Sequence, residues 1–295
     1  MAVSTGCLLI LPRFDYLAPS TVNQACSLLD KYKGKARVLA GGTDLLLSMK
    51  KREVSPPYLV SIKAIPDLDY IRYNPEEGLR IGAGTTLQSV ADSPVAKDKF
   101  GLLATACRKV GTPQVRNMGT IGGNICNGGP SQDTIPSLLA LDAKLKLVNL
   151  HGERIMPVDA FFISPFKTAL AEAELLTEIQ IPCPPPRSAG GYYWLTKIAA
   201  KDETLVGVAV LVTSDSAVEL CKEIRIGLCS VAPTPIRARQ AEKLLRGKVI
   251  DDRLVEQAGQ IAAEETRPRS RADYRRRITS LLVKQAISEA WQSIK

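Results

Sequence analysis

Two glycine-rich segments carry the residue types that bind phosphate groups. The first covers residues 40–44, Ala-Gly-Gly-Thr-Asp, and the second covers residues 117–124, Asn-Met-Gly-Thr-Ile-Gly-Gly-Asn. Glycine lets a ligand approach the main chain closely, and successive N–H groups in such turns form a concave anion site. Neither segment has the spacing of the Gly-x-Gly-x-x-Gly or Walker motifs. Together the two turns predict a site that grips the pyrophosphate of a dinucleotide cofactor from both sides.

Helical and strand periodicities around these turns predict the elements that must position them. A capped amphipathic helix is expected between Pro19 and Tyr32, within a first small α+β unit that ends near residue 65. The other segments with strand character up to the linker are 36–40, 58–62, 79–84 and 143–150. The other helical segments are 45–49, 86–91, 102–110 and 135–141.

A proline-rich segment, residues 182–186, marks a linker because proline lacks the N–H donor and stiffens the chain. A third unit follows it. The predicted antiparallel strands of this unit are 194–199, 206–213 and 223–231. Its predicted helices are 236–245, 252–265 and 274–291.

The two turns, with the segment Pro130-Ser131-Gln132-Asp133 that follows the second, resemble the flavin subunit of molybdenum hydroxylases. That family includes the FAD domain of xanthine dehydrogenase and the medium subunit of aerobic carbon monoxide dehydrogenase. The resemblance begins at residues 11–16 and reaches Tyr274 and Arg275.

The resemblance implies an α+β fold in two parts. Residues 1–182 are expected to form the two-part FAD-binding fold of the vanillyl-alcohol oxidase class, with subdomains of about 1–65 and 66–182. Residues 187–295 are expected to form a C-terminal domain with a three-stranded antiparallel sheet and a helix bundle.

It also implies a set of cofactor contacts, in which main-chain N–H groups of both turns bind the FAD pyrophosphate and threonine hydroxyls add donors. The expected FAD-binding residues are Leu39, Ala40, Gly41, Gly42, Thr43, Asp44, Leu45, Val110, Gly119, Thr120, Ile121, Gly122, Gly123, Asn124, Asp133, Leu176 and Lys197.

Several of these residues have a second interpretation. Asp133 follows a Pro-Ser loop and is suited to cap a helix, whereas its family counterpart bonds the sugar-like part of FAD; both roles can coexist. Lys197 is either a solvent-facing strand lysine or a cation beside the flavin. Leu176 either packs in the core or lies against the flavin ring. Val110 replaces an aromatic residue of the xanthine branch, and Lys201 replaces an arginine.

Composition narrows the class of protein. The chain has 295 residues, 45% of them hydrophobic and 23% charged, which is typical of a soluble globular protein. No signal peptide and no membrane span is expected, so we predict a cytoplasmic protein without direct membrane insertion. The seven cysteines are scattered and include no Cys-x-x-Cys pair, which argues against disulfides, zinc or an iron–sulfur cluster in this chain. The single histidine, His151, makes a hydrolase or metal site improbable.

The formal net charge is +9, and much of it lies in one segment. The arginines of this segment are Arg267, Arg269, Arg271, Arg275, Arg276 and Arg277. Without a nucleic-acid-binding motif, the segment indicates a solvated helix start, a contact with an acidic partner subunit, or guidance of an anionic cofactor.

We therefore predict an FAD-binding electron-transfer subunit that has no catalytic residues and no metal ligands of its own. FAD is expected to bind non-covalently. Covalent attachment needs a suitably placed histidine or cysteine, whereas His151 lies in the wrong segment and Cys126 is the only thiol near the second glycine segment. The implied partners are a [2Fe-2S] iron–sulfur subunit and a molybdopterin-binding subunit that carries the molybdenum–pterin cofactor, in a dimer of heterotrimers. NAD, a quinone or another carrier takes the electrons. The alternatives are a self-sufficient flavin oxidase and a non-catalytic assembly subunit.

Overall fold

A computed structural model describes residues 10–196, 198, 203–215 and 220–294. The helices in these residues are α1 (Val22–Lys31), α2 (Leu45–Lys50), α3 (Leu87–Asp92), α4 (Pro94–Lys99), α5 (Gly101–Lys109), α6 (Pro113–Met118), α7 (Ile121–Asn127), α8 (Thr134–Ala140), α9 (Arg239–Leu245), α10 (Asp252–Glu264) and α11 (Ala272–Ile294). The strands are β1 (Asp15–Leu17), β2 (Ala36–Leu39), β3 (Tyr58–Ser61), β4 (Ile71–Asn74), β5 (Gly78–Gly82), β6 (Lys144–Asn149), β7 (Gly152–Pro157), β8 (Phe162–Ser164), β9 (Lys167–Thr168), β10 (Leu175–Ile181), β11 (Ser188–Thr196), β12 (Thr204–Ser214), β13 (Cys221–Cys229) and β14 (Ile236–Arg237).

The strands form sheets that follow one another along the chain. A small parallel sheet has the order β1-β3-β2, and an antiparallel sheet has the order β4-β5-β10-β6-β7. A third, antiparallel sheet has the order β11-β12-β13-β14, and β8 pairs with β9 in a hairpin. The first glycine turn follows the carboxyl end of β2, which is an edge of the parallel sheet.

The third sheet confirms the predicted antiparallel strands but corrects their number. A fourth strand, Ile236–Arg237, pairs with β13 where the sequence pattern predicted the start of a helix. The helix begins only at Arg239. The difference arises because Arg237 extends toward the buried carboxylate of Glu242, an interaction that periodicity does not reveal.

Strand β12 is buried along its whole length and packs against both the C-terminal unit and the N-terminal unit. Alternate side chains of a strand point to opposite faces of the sheet. Val206, Val208, Val210 and Val212 pack in one cluster with helices α9, α10 and α11. On the other face, Ala209 and Leu211 join the core that fills the space around α5 and α8.

Helix α8 lies directly on the third sheet. A Cβ atom added to Gly227 of β13 would come within 2.2 Å of the carbonyl oxygen of Pro136 in α8, so only glycine permits this approach. The segment that carries Asp133, immediately before α8, is therefore held at the junction of the two units. No helix in the described part of the chain combines the length and apolar character needed to cross a bilayer.

Arg237 and Glu242 form a buried ion pair within the C-terminal unit. Glu242 is 3% exposed and accepts hydrogen bonds from Arg237 Nε (2.9 Å), Arg237 Nη2 (2.7 Å) and the backbone N–H of Ile226 (2.9 Å). It thereby ties α9 to β13 and β14.

We expect Glu242→Ala to destabilise the fold by about 3–5 kcal/mol, because removing one partner leaves the buried guanidinium and the Ile226 N–H unpaired. Glu256→Ala is the matched control, since Glu256 pairs with Lys284 at 2.6 Å on an exposed surface. Its expected cost is below about 1 kcal/mol. Denaturant unfolding followed by circular dichroism measures both, and equal losses would contradict this account.

Candidate functional site

The first glycine turn connects β2 to α2 and offers free backbone donors. Gly42 has φ +76°, an angle at which residues with a side chain are strained. Among the described residues, no acceptor receives a hydrogen bond from the N–H groups of Gly41, Gly42, Thr43 or Asp44. Successive main-chain donors of this kind form an anion-binding concavity.

The two glycine segments touch each other through their backbones. A Cβ atom on Gly41 would lie 2.2 Å from the carbonyl oxygen of Met118 and 2.6 Å from Cα of Gly119. A Cβ atom on Gly119 would lie 3.5 Å from Oγ1 of Thr43. The backbone of the first segment therefore rests on that of the second, and their donors and hydroxyls share one cradle.

The second segment contributes shape rather than free amides. It is the start of helix α7, not a turn between strands, and Thr120 is the N-cap that accepts a hydrogen bond from the N–H of Gly123 at 3.0 Å. The N–H of Gly122 donates to the carbonyl of Ala83 at 3.0 Å, and that of Gly119 donates to Val115 at 2.7 Å. A Cβ atom on Gly123 would stand 3.6 Å from that of Ala40, so Gly123 faces the first turn.

Ile121 and Asn124 hold α7 in place. Ile121 is fully buried in the main core. Asn124 is 8% exposed; its amide donates to Gln132 and its oxygen accepts a 2.6 Å bond from the hydroxyl of Thr134. Asn124 thus connects the second glycine segment to the segment around Asp133.

Asp133 makes no capping bond to α8 in spite of its position before that helix. Its Oδ1 instead accepts hydrogen bonds from the hydroxyls of Tyr192 and Thr204, both at 2.6 Å. Both bonds end on the same oxygen, which leaves Oδ2 as the acceptor for a ligand. Burial raises the pKa of Asp133, while the bonds from Thr204 and Tyr192 and the charge of Lys109 oppose that rise.

The remaining predicted contacts lie on three different elements. Leu176, on β10, is 2% exposed and is part of the main core. Val110 ends α5 and is half-buried against the same core. Leu45 is the first residue of α2. Lys197, like Lys201, lies outside the described residues.

Sequence reasoning missed the partners of Asp133. Tyr192 and Thr204 come from strands of the C-terminal unit, 59 and 71 residues away along the chain. Lys109, at the end of α5, lies 6.0 Å from the ring centroid of Trp194, which in turn stacks on Tyr192. The tyrosine-rich run at 192–193 was the available signal, but strand periodicity alone does not show which side chain meets Asp133.

These residues fit a dinucleotide flavin. The free amides and the close backbone contact suit a pyrophosphate, which needs donors and no intervening side chains. The Oδ2 atom of Asp133 suits a polyol hydroxyl, because a carboxylate accepts and does not donate. Among the described residues, no group of three or more His, Cys, Asp or Glu side chains is arranged to hold a metal ion.

Two family models match the chain. Residues 12–184 match the FAD binding domain in molybdopterin dehydrogenase. Residues 191–290 match the CO dehydrogenase flavoprotein C-terminal domain.

Similar proteins cover nearly the whole chain. The carbon monoxide dehydrogenase medium chain of Hydrogenophaga pseudoflava is 36% identical over 96% of this chain and 99% of its own. The putative xanthine dehydrogenase FAD-binding subunit of Escherichia coli is 30% identical over 94% of this chain and 95% of its own. Among solved structures, carbon monoxide dehydrogenase from Hydrogenophaga pseudoflava superposes with a TM-score of 0.92 over 96% of this chain and 99% of that chain, at 36% identity.

Gly123→Val tests the cradle. The branched side chain would fill the space between Gly123 and Ala40, so we expect FAD affinity to fall at least about tenfold, since a blocked approach removes at least one good polar contact. Gly101→Val is the control, because a Cβ on Gly101 meets nothing within 4 Å. Fluorescence titration of the apoprotein with FAD measures both. Undiminished affinity in folded Gly123→Val would place the pyrophosphate elsewhere.

The buried carboxyl of Asp133 predicts a pH dependence. A hydroxyl donates a stronger hydrogen bond to the ionised carboxylate than to the neutral acid. FAD affinity is therefore full above the pKa of Asp133 in the FAD-free protein and falls as the pH drops through it. Because burial raises this pKa, the fall begins at a higher pH than an ordinary aspartate gives. Asp133→Asn should bind FAD roughly tenfold more weakly and lack this part of the profile. An identical profile in the variant would contradict the assignment.

Proposed function

Because the chain belongs to the FAD-binding subunits of the molybdenum hydroxylase family, components of oxidoreductases, we propose that it is the electron-transfer subunit of a multi-subunit hydroxylase. It accepts electrons from a [2Fe-2S] subunit and passes them to NAD, a quinone or another carrier. The observation that carries this proposal is the joined cradle of the two glycine segments, with Asp133 held at the junction of the two units.

Each part of the site has a task in binding. The amides of Gly41, Gly42, Thr43 and Asp44 bind the pyrophosphate, and Thr43 adds a hydroxyl. Oδ2 of Asp133 accepts from the polyol chain of the cofactor. Bound FAD supplies the redox chemistry, since it exchanges electrons singly or in pairs.

The other predicted contacts shape the site. Residues 119–124 form its second wall, in which Thr120 fixes the helix start and Gly123 leaves room for the ligand. Leu39, Ala40 and Leu45 flank the first turn. Val110 and Leu176 border the ring system, and Lys197 supplies a cation beside it that favours the reduced, anionic form.

We also propose the division of the chain and its assembly. Residues 1–182, in subdomains of about 1–65 and 66–182, bind FAD, and residues 187–295 form the C-terminal domain. The partners are an iron–sulfur subunit and a molybdopterin-binding subunit, in a dimer of heterotrimers. The names of the similar proteins, a carbon monoxide dehydrogenase medium chain and a xanthine dehydrogenase FAD-binding subunit, support the proposal that this chain is one subunit of a larger enzyme.

Spectroscopy of the purified chain tests the proposal. We expect a flavin absorption spectrum, full release of the yellow colour into the supernatant on acid precipitation, and no turnover of small alcohols. Non-covalent binding follows from the surroundings of Cys126, the cysteine next to the second glycine segment, because burial raises the pKa of its thiol to about 12 and a thiol in that state is a poor nucleophile.

Each of the other possible results would contradict one part of the proposal. Colour that stays with the pellet overturns non-covalent binding. Alcohol oxidation by the isolated chain favours a self-sufficient oxidase, and a colourless protein that takes up no FAD favours an assembly subunit. Electron transfer is tested by reducing a co-expressed iron–sulfur partner and following bleaching of the flavin band.

A further inference from the structure

The segment 130–133, which ends in Asp133, is held by the C-terminal unit through three hydrogen bonds. Tyr192 and Thr204 donate to the carboxylate of Asp133, both at 2.6 Å. The backbone N–H of Ser230 donates to the carbonyl of Pro130 at 2.7 Å. The orientation of the carboxylate therefore depends on where β12 and the end of β13 lie.

Arg275 connects these two strand ends. It lies in the first turn of α11, and its Nη1 donates to the carbonyls of Leu205 (2.5 Å) and Ser230 (2.6 Å). Leu205 is next to Thr204 in sequence, and Ser230 itself bonds Pro130. A single guanidinium nitrogen thus bridges the two places from which the C-terminal unit grips the segment 130–133.

Several features of this bridge are energetically unfavourable. Ser230 has φ +66°, a left-handed conformation that costs about 1 kcal/mol or more outside glycine. Nε of Arg275 is buried and has no partner among the described residues. Burial and the charges of Arg271 and Arg269 lower the pKa of Arg275, while Glu203 opposes that change. Such unfavourable local geometry persists only where the surrounding structure enforces it, and it is concentrated at functional sites.

Arg275 differs in this respect from the neighbouring arginines of the basic segment. Arg276 and Arg277 are exposed, whereas Arg275 is half-buried and points its Nη1 at the sheet. The basic segment therefore contains one arginine, Arg275, whose guanidinium bonds to the protein's own backbone.

We propose that Arg275 is a positioning residue for the flavin site: by holding Leu205 and Ser230 together, it fixes Thr204 and the segment 130–133 and so sets the direction of the Asp133 carboxylate. The inference rests on the proposed role of Asp133 in FAD binding. Arg275 does not touch the cofactor; it acts through Thr204 and Ser230.

A double-mutant cycle on FAD affinity tests this coupling in the full-length chain. Arg275→Met and Thr204→Val should each weaken FAD binding about tenfold, the scale of one hydrogen bond to a charged group. Because both act on the same carboxylate, the double variant should also lose about tenfold rather than the roughly hundredfold of independent sites. Arg277→Met, an exposed arginine on the same helix, is the control and should bind FAD as the native protein does.

The pH profile supplies a readout that a merely structural arginine would not move. Hydrogen bonds to the ionised carboxylate lower its pKa. Loosening the bond from Thr204 should therefore shift the acid limb of FAD binding to higher pH in Arg275→Met, and Arg275→Lys, which keeps a donor and the charge, should recover part of the loss. If Arg275→Met does not fold, Arg275→Lys takes its place in the cycle with a smaller expected loss.

The outcomes separate this inference from the proposed function. Unchanged affinity in Arg275→Met, multiplicative losses in the double variant, or an equal loss in Arg277→Met would each overturn the role of Arg275. If Asp133→Asn binds FAD as tightly as the native protein, the proposed site itself fails, whatever Arg275 does.

Discussion

The site depends on a contact between two stretches of backbone, which exists only because residue 41 has no side chain. Gly41 rests on the main chain of Met118 and Gly119, where any Cβ would fall within 2.2 Å of a carbonyl oxygen. This contact brings the end of the parallel sheet against the start of α7. One side then offers free amides. On the other side, the N–H groups of Gly119, Ile121, Gly122, Gly123 and Asn124 are already bonded within the protein. The two glycine segments look alike in sequence but have different tasks.

The second constraint is strand β12, which is buried on both faces and therefore cannot shift without disturbing two cores. It carries Thr204 at one end, and with Tyr192 of β11 it holds the carboxylate of Asp133. In the proposed site, the C-terminal unit thus contributes to cofactor binding together with the glycine segments of the other unit. Arg275 is proposed to support this arrangement, because it donates hydrogen bonds to Leu205 and Ser230 at the strand ends that contact the segment 130–133.

Much of the framework followed from local patterns. The resemblance to the molybdenum hydroxylase flavin subunits is confirmed, and so is the α+β fold, with helices such as α1 and α10 within two or three residues of their predicted bounds. Strands β4, β7 and β10 of the five-stranded sheet went unpredicted, and β14 was predicted as helix. Strands β4 and β7 lie at the two edges of that sheet and β14 has only two residues, whereas β10 is the buried central strand, in which a register shift between Leu176 and Glu178 interrupts the alternation. The pairing of each therefore comes from distant partners rather than from its own periodicity.

By itself, the sequence determined which residues have phosphate-binding chemistry and which family pattern they follow, because glycine, threonine and aspartate carry that chemistry wherever they lie. Only the tertiary structure decided how the chemistry is shared. In the folded chain, the N–H groups of Gly122 and Gly123 bond to acceptors within the protein. Asp133 makes no capping bond to α8, and its carboxylate accepts hydrogen bonds from two hydroxyl groups of the C-terminal unit. The reason is that each hydrogen bond joins residues far apart in the chain, and the choice among possible partners is made by packing of the sheets and helices between them.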